Sequence, residues 1–399
     1  MRFLELVFVC SVSTLTWNGL SDSFTNVTYL LIVLFALLIR LRFRDLYSLK
    51  YLNPLLVSIA VSTIIAILIG QSKLSQLNLM ANQIFSSSRF LNEQTLLYSP
   101  LIDFIPALKW CLALISLPYL VQVLNQINPK LLHRATTAWI VGLMFNVFSQ
   151  MLQRFGVPNI GVLANNQFNL SDSRFPGLAS HPNALAISVC LTIPLLFFPS
   201  MSINKFVKYP AILIMIYSVY VTGSRAGLIV LTLILTSILL IEGKTGKVRF
   251  NRLILVSSIM SVSILLGLFV QLVASTRLSS QDVSAKASNI ERLHLLRYGW
   301  EAFLHYPITG AGASLLKLSH NIFLQVLSSI GIFGFFSFLV FAFFLVYPNR
   351  SQTFYEKLPA IIFIVFGFFN NSLSDFYLYF PIGFAYTLKK SENFYPRKS

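Results

Sequence analysis

The chain has 399 residues, of which 56% are hydrophobic and 11% are charged, against about 25% charged residues in ordinary soluble domains. So much apolar surface excludes a soluble globular fold. The net charge of +17 is typical of Lys and Arg in short loops that set membrane topology, so it does not indicate nucleic acid as a partner. The apolar runs are about 15 to 25 residues long without strict alternation, which predicts helices that span a lipid bilayer rather than a barrel.

We predict an all-α polytopic membrane protein with about twelve transmembrane helices, organised as a single integral membrane domain over residues 1–399. With the N-terminus on the cytoplasmic side, every loop on that side has a net positive charge, and both termini are cytoplasmic. The longer segments 71–100, 154–181 and 274–320 then lie outside. The predicted spans lie near residues 3–19, 25–41, 51–70, 101–124, 135–153, 182–199, 208–222, 224–241, 252–273, 321–347, 357–371 and 375–388.

A first candidate site residue is Arg225, between two predicted spans. Thr222 and Ser224 are residue types that cap helix N-termini, which places Arg225 in the first turn of the next helix. A cation there opposes the helix dipole, so we expect an anion to compensate it. A helix N-terminus beside a guanidinium is typical of a phosphate site. The alternative is an arginine that extends to the lipid headgroups.

A second candidate is His320, at the start of the span predicted near residues 321–347. It follows Ser319, which we predict to be the N-cap. The positive end of the helix favours a neutral imidazole, which can accept a proton. The alternative is a histidine that only marks the membrane interface.

The segment at residues 290–305 predicts an amphipathic helix that lies on the membrane surface and covers the site. Arg292 and Arg297 lie off its apolar stripe. The alternative for these arginines is a solvated face, or pairing with lipid phosphate. The residues of the stripe are Leu293, Leu296, Trp300 and Phe303 or Leu304.

Three blocks in the outer segments, taken in order, resemble the O-antigen ligase/polymerase superfamily of bacterial membrane glycosyltransferases. The first is RFPGLASHPNALA at residues 174–186, and the second is TGSRAG at residues 222–227. The third comprises ERL at 291–293, PITGAG at 307–312, HNIFLQ at 320–325 and GIFG at 331–334. The blocks cover residues 150–345 approximately, and the preceding part of the chain is similar only in being hydrophobic.

This resemblance implies a GT-C-like helical fold in the bacterial inner membrane, with the active site on the periplasmic side. Part of that site would lie in a large periplasmic loop at residues 274–320. The reaction implied is inverting transfer of a glycan from undecaprenyl diphosphate to an acceptor hydroxyl, with no metal and no other cofactor. Expected partners are the undecaprenyl-diphosphate-linked donor, a glycan or lipid A-core acceptor, and a chain-length regulator.

The implied chemistry agrees with the residue types. A diphosphate leaving group already carries its charge, so it needs cations rather than a proton donor. Arg174, Arg225 and Arg292 can supply them, with Arg297 as a further candidate. The spacing to the PITGAG run favours Arg292 over Arg297 as the family arginine. The acceptor hydroxyl needs a general base, for which His320 is the candidate.

Three functions stay open at this stage. The segment between the ninth predicted span and His320 has about 45 residues, which is short for a ligase that attaches glycan to the lipid A core. This favours a polymerase, which joins repeat units on the lipid carrier. A lipid-linked oligosaccharide flippase or secondary transporter would place ionisable residues near mid-span, whereas here they gather at the outer ends of the spans.

Overall fold

The fold is all-α, and its helices follow the predicted spans closely. The computed structural model describes residues 2–42, 47–48, 52–84, 100–157, 175–198, 201, 203–242, 283–313, 319–347, 353–370, 373, 375–386 and 389–390. Within these ranges the helices are α1 (Arg2–Ser13), α2 (Asp22–Arg42), α3 (Asn53–Leu68), α4 (Gly70–Ile84), α5 (Pro100–Ile127), α6 (Pro129–Arg154), α7 (Pro182–Thr192), α8 (Lys205–Thr222), α9 (Arg225–Glu242), α10 (Val283–His305), α11 (Ile322–Val346), α12 (Phe354–Gly367) and α13 (Phe376–Ile382). Short 3₁₀ turns follow α7 at Ile193–Phe197 and α13 at Gly383–Ala385.

The described helices make this a polytopic membrane protein. Five of them are long and apolar enough to cross a membrane: α2, most of α5, α6, α8 and α11. Shorter apolar helices include α1, α3 and α9. The first predicted span, 3–19, is shorter in the structure, because α1 ends at Ser13. The span predicted near 252–273 lies outside the described residues, so the count of about twelve stays a prediction.

Two short strands join distant parts of the chain. Tyr47–Ser48 (β1) pairs antiparallel with Lys389–Lys390 (β2). Both segments were predicted to lie on the cytoplasmic side. Their pairing requires them to lie on the same side of the membrane, which agrees with that assignment.

Helix α4 is an element that the sequence analysis missed, because residues 71–100 are polar. It packs against α10 in a small core separate from the main one. The main core runs through the spans and contains large buried rings such as Trp110, Trp139 and Tyr379. The small core contains Leu77, Met80, Ala81, Leu295, Tyr298, Ala302 and Ala311. The polar segments predicted outside the membrane therefore have a hydrophobic centre of their own.

Three amides on one face of α6 fix the segment that leads into α7. The Asn146 side chain accepts from Leu178 N (2.7 Å), and Gln153 exchanges two hydrogen bonds with the Gly177 backbone (2.9 and 3.0 Å). Gln150 donates to Phe175 O (2.9 Å). The N–H and C=O groups of this irregular backbone thus form hydrogen bonds with side chains, as buried backbone groups require. The segment begins one residue after Arg174.

Helix α11 is broken at Gly331, in its N-terminal half, and the loop after α10 bonds to it there. Gly331 has φ 71° and ψ −172°, a conformation that is essentially restricted to glycine. In an unbroken helix Ile332 N would donate to Ser328 O. Both groups bond to the loop instead: Ala311 N donates to Ser328 O (2.7 Å), and Ile332 N donates to Pro307 O (2.9 Å). The PITGAG run is therefore the partner of the broken helix.

Helices α3 and α4 support the same loop. The Ser62 hydroxyl donates to Thr309 O (2.6 Å) and also lies 2.9 Å from Ser329 O. The buried Lys73 ammonium donates to Gly310 O (2.8 Å) and lies 4.8 Å from the centre of the Tyr306 ring. These polar contacts link the N-terminal part of the chain to the third sequence block.

Candidate active site

Arg225 begins helix α9 at the end that carries a partial positive charge. Gly223 ends α8 in a left-handed conformation with φ 61°, and the Ser224 hydroxyl accepts from Gly227 N (3.1 Å) as the N-cap of α9. The predicted position of Arg225 in the first turn is therefore confirmed. Its guanidinium adds a full charge to that of the helix terminus.

Arg292, on α10, lies close enough to Arg225 for their charges to interact. Burial lowers the pKa of Arg292, and the charge of Arg225 lowers it further, while Glu291 acts in the opposite direction. An arginine remains protonated at neutral pH even so. Two neighbouring guanidinium groups beside a helix N-terminus can therefore bind a multivalent anion such as a diphosphate.

His320 is the third basic residue of this group. Burial lowers its pKa to about 4, and the charge of Arg292 adds to the effect. The ring is therefore neutral near pH 7 and able to accept a proton. The predicted cause of this neutrality was the helix dipole, whereas in the structure burial is the larger cause and Arg292 the second. Its Nδ1 atom is buried and makes no hydrogen bond within the described part of the chain.

The predicted capping of α11 by Ser319 is wrong. Asn321 is the N-cap, because its side chain accepts from Leu324 N (3.0 Å). The Asn321 amide also donates to Phe368 O (3.2 Å), at the end of α12. His320 therefore stands before the cap and outside the helix, in a position fixed by its neighbours on both sides.

The predicted amphipathic helix exists as α10, and its apolar stripe faces away from the protein. Leu293, Trp300 and Leu304 are all about half or more exposed, which fits the predicted contact with the membrane surface. The sequence analysis missed the packed face, which carries small and aromatic residues instead. A side chain at Gly299 would meet Leu324 (3.3 Å) and Ser319 (3.5 Å), so the absence of one lets α10 approach the start of α11. This contact brings Arg292 towards His320.

The other two predicted arginines are not in this group. Arg297 is exposed and lines a separate cavity against α4. Five residues separate it from Arg292, which corresponds to about 140° around the helix axis. Arg174 lies outside the described residues, next to the segment held by the α6 amides. Of the predicted residues, Arg292 is thus the one whose charge acts on His320, and the charge of Arg225 acts on Arg292.

Other buried polar groups near the site were also missed from the sequence. Gln325, one turn after the Asn321 cap, is fully buried, and both of its amide atoms make no hydrogen bond among the described residues. Within the same residues, no group of three or more His, Cys, Asp or Glu could hold a metal ion. A signal for Gln325 was available, since an amide in an apolar helix needs a partner.

Comparison with known proteins adds one match. Residues 210–339 match the family model described as O-antigen ligase. Over this region the chain is similar to that family, which supports the predicted resemblance to the O-antigen ligase/polymerase superfamily. The match covers about a third of the chain and includes all three residues gathered at the site, whereas Arg174 precedes it. No curated protein matches the chain.

The O-antigen ligase match bears on the general activity. Members of this family are enzymes of glycan assembly, so the match supports a glycosyltransferase-like role in the assembly of O-antigen or another surface glycan. The match spans helices α8 to α11, which are the elements that position Arg225, Arg292 and His320.

Proposed function

We propose that the protein is an O-antigen or surface polysaccharide polymerase. It transfers a glycan from undecaprenyl diphosphate to a hydroxyl of an acceptor glycan repeat, on the periplasmic face of the inner membrane. The observation that carries this proposal is the grouping of Arg225, Arg292 and His320: two cations for a diphosphate beside one neutral base.

In the proposed reaction the acceptor hydroxyl oxygen forms a bond to the anomeric carbon of the donor sugar. The bond from that carbon to the diphosphate breaks, and its electron pair stays on the diphosphate oxygen. His320 takes the proton of the hydroxyl. Attack opposite to the leaving group inverts the anomeric centre.

The arginines stabilise the charge that develops on the leaving group. Arg225 and Arg292, with Arg174 from the first block, donate charge-assisted hydrogen bonds to the diphosphate oxygens. These donors bring fixed positive charge, so the leaving group departs without protonation.

Donor binding also makes His320 a better base. In the free site its pKa is about 4, partly because Arg292 disfavours the imidazolium. A bound diphosphate neutralises that charge and raises the pKa towards the ordinary value of about 6.5. The base therefore gains proton affinity in the complex that reacts.

A ligase is the second candidate, since the matching family model carries that description. A ligase would use the same three residues but transfer the glycan to the lipid A core. The short segment before His320 favours the polymerase.

The experiment is transfer by the purified protein in liposomes with undecaprenyl-diphosphate-linked repeat units. A polymerase produces a ladder of lipid-linked oligomers without a second acceptor. A ligase produces no ladder and labels added lipid A core. Absence of both products from wild-type protein, with donor and acceptor supplied together, would contradict the proposed function.

The proposed orientation has a separate test. Reporter fusions at Lys244 and after Lys389 should report the cytoplasm, and fusions within residues 275–315 should report the periplasm. A cytoplasmic signal from residues 275–315 would place His320 in the wrong compartment for this chemistry.

A further inference from the structure

A cavity of about 350 Å³ lies between helices α4 and α10. Arg297 is among the residues of α10 that line it, and Arg292 is not. Its lining residues are Gln76, Leu79, Met80, Gln83, Ile84, Arg297, Glu301 and His305. The family match does not include the α4 wall, because it begins at residue 210.

The lining offers both hydrogen-bond donors and acceptors, with balanced charge. Arg297 can only donate, Glu301 can only accept, and the Gln83 amide can do both. One positive and one negative side chain favour neither an anion nor a cation. The groups therefore fit an uncharged ligand with many hydroxyls, since each hydroxyl donates and accepts.

The cavity also has an apolar part. Leu79, Met80 and Ile84 supply it from α4. Apolar walls with a few placed polar groups are typical of small-molecule sites, and a sugar ring has both an apolar face and a polar rim. A purely lipidic ligand would leave the charged groups without partners.

The walls are built on fixed elements. Met80 packs with Leu295 and Tyr298 in the small core, and the Tyr306 hydroxyl donates to the Gln76 side chain. Tyr306 precedes the loop that repairs the break in α11. A ligand in the cavity would thus rest on the same helix and loop that position the reacting residues.

We propose that this cavity binds the saccharide chain of the substrate, so that α10 holds the diphosphate on one face and sugar units on the other. The inference rests on the proposed function. Arg297 lies five residues from Arg292, about 7.5 Å along the helix axis, so a saccharide that reacts near Arg292 can extend into the cavity. The saccharide can belong to the donor or to the acceptor.

The first experiment measures binding without transfer. The probe is the repeat-unit oligosaccharide released by mild acid from the lipid carrier of the host strain, titrated onto purified full-length protein in detergent. We expect Arg297→Ala, Glu301→Ala and Gln83→Ala each to weaken binding about three- to tenfold, as expected for loss of one or two hydrogen bonds.

Leu304→Ala is the matched control, since Leu304 is exposed on the same helix and outside the cavity. It should bind the oligosaccharide like the wild type. Wild-type affinity in all three cavity variants, equal weakening by Leu304→Ala, or no binding by the wild type would each overturn the proposal. None of these measurements requires glycan transfer. The proposal for the cavity can therefore be wrong while the proposed function is right, and the reverse.

The second experiment assigns the saccharide. KM is measured for donor and for acceptor in the transfer assay with Glu301→Ala. A rise in the acceptor KM alone assigns the cavity to the acceptor, and a rise in the donor KM alone assigns it to the donor glycan. No change in either KM would overturn the proposal for the reacting substrate.

Discussion

The two faces of helix α10 differ in charge. One face carries Arg292, which interacts with Arg225 and His320, and among the described residues Glu291 is the acidic group that acts on it. The other face carries Arg297 and Glu301 in an open cavity against α4. Arginines five positions apart on one helix therefore have opposite surroundings: one has concentrated positive charge, and the other has balanced charge.

This difference in charge distinguishes Arg292 from Arg297. In the sequence only the spacing to the PITGAG run favoured Arg292, because both arginines lie on the same predicted helix and suit the same chemistry. In the structure, burial lowers the pKa of His320 most, and of the two arginines it is Arg292 whose charge lowers it further. We infer that the site face reacts with an anionic donor and that the cavity face contacts uncharged sugar, so substitutions on the two faces should have different effects.

The largest expected effect is on the site face. His320→Ala should lower the rate of glycan transfer about a hundred- to ten-thousandfold, as expected for a lost general base. Donor binding and membrane insertion should change little, because His320 stands outside α11. The measurement is chain growth with purified donor at matched protein levels. Near-normal growth would leave His320 as an interfacial residue.

A smaller effect is expected when the charge is kept and its shape is changed. Arg225→Lys should lower the transfer rate roughly ten- to a hundredfold, because a planar fork that makes two charge-assisted hydrogen bonds becomes a point charge. Arg297→Lys is the matched control and should retain most of the rate. Equal losses in both variants would show that the two faces are not distinct.

The support of the site face can be tested through stability. Gly331→Ala should lower the free energy of unfolding of the detergent-purified protein by about 1–3 kcal/mol or more. The reason is that φ is 71° and the new Cβ would lie 2.1 Å from Ile308 O. Gly156 has a similar φ of 79° with open space around it, so Gly156→Ala should cost only about 1 kcal/mol. Equal stability losses would show that the loop does not fix α11 at this point.

Much of the fold and part of the site were predictable from sequence. Apolar runs marked most of the helices, and cap chemistry placed Arg225 correctly in the first turn of α9. Two capping residue types, Ser319 and Asn321, flank His320. Asn321 is the cap in the structure, where its amide also donates to Phe368 O from a distant part of the chain. Local residue preference cannot make that choice.

Other features depend on contacts between distant segments. Helix α4 was missed because its apolar residues, such as Leu77 and Met80, cover only α10 and leave the segment polar on average. The bonding of the PITGAG loop to the broken α11 joins residues about 20 positions apart in the chain. The amides of α6 were a missed signal, since Asn146, Gln150 and Gln153 share one face of an apolar helix.

The central claim is that Arg292, and not Arg297, acts on His320. The most direct measurement is the pH dependence of kcat/KM, which reports the free enzyme. In the wild type, kcat/KM should fall as the pH decreases through about 4, where His320 becomes protonated. Arg292→Gln removes a positive charge and makes protonation easier, so this midpoint should move upward. It should stay below the ordinary value of about 6.5, because burial still disfavours the imidazolium. Arg297→Gln should leave the midpoint unchanged. An unchanged midpoint in Arg292→Gln, or an equal shift in both variants, would contradict the account.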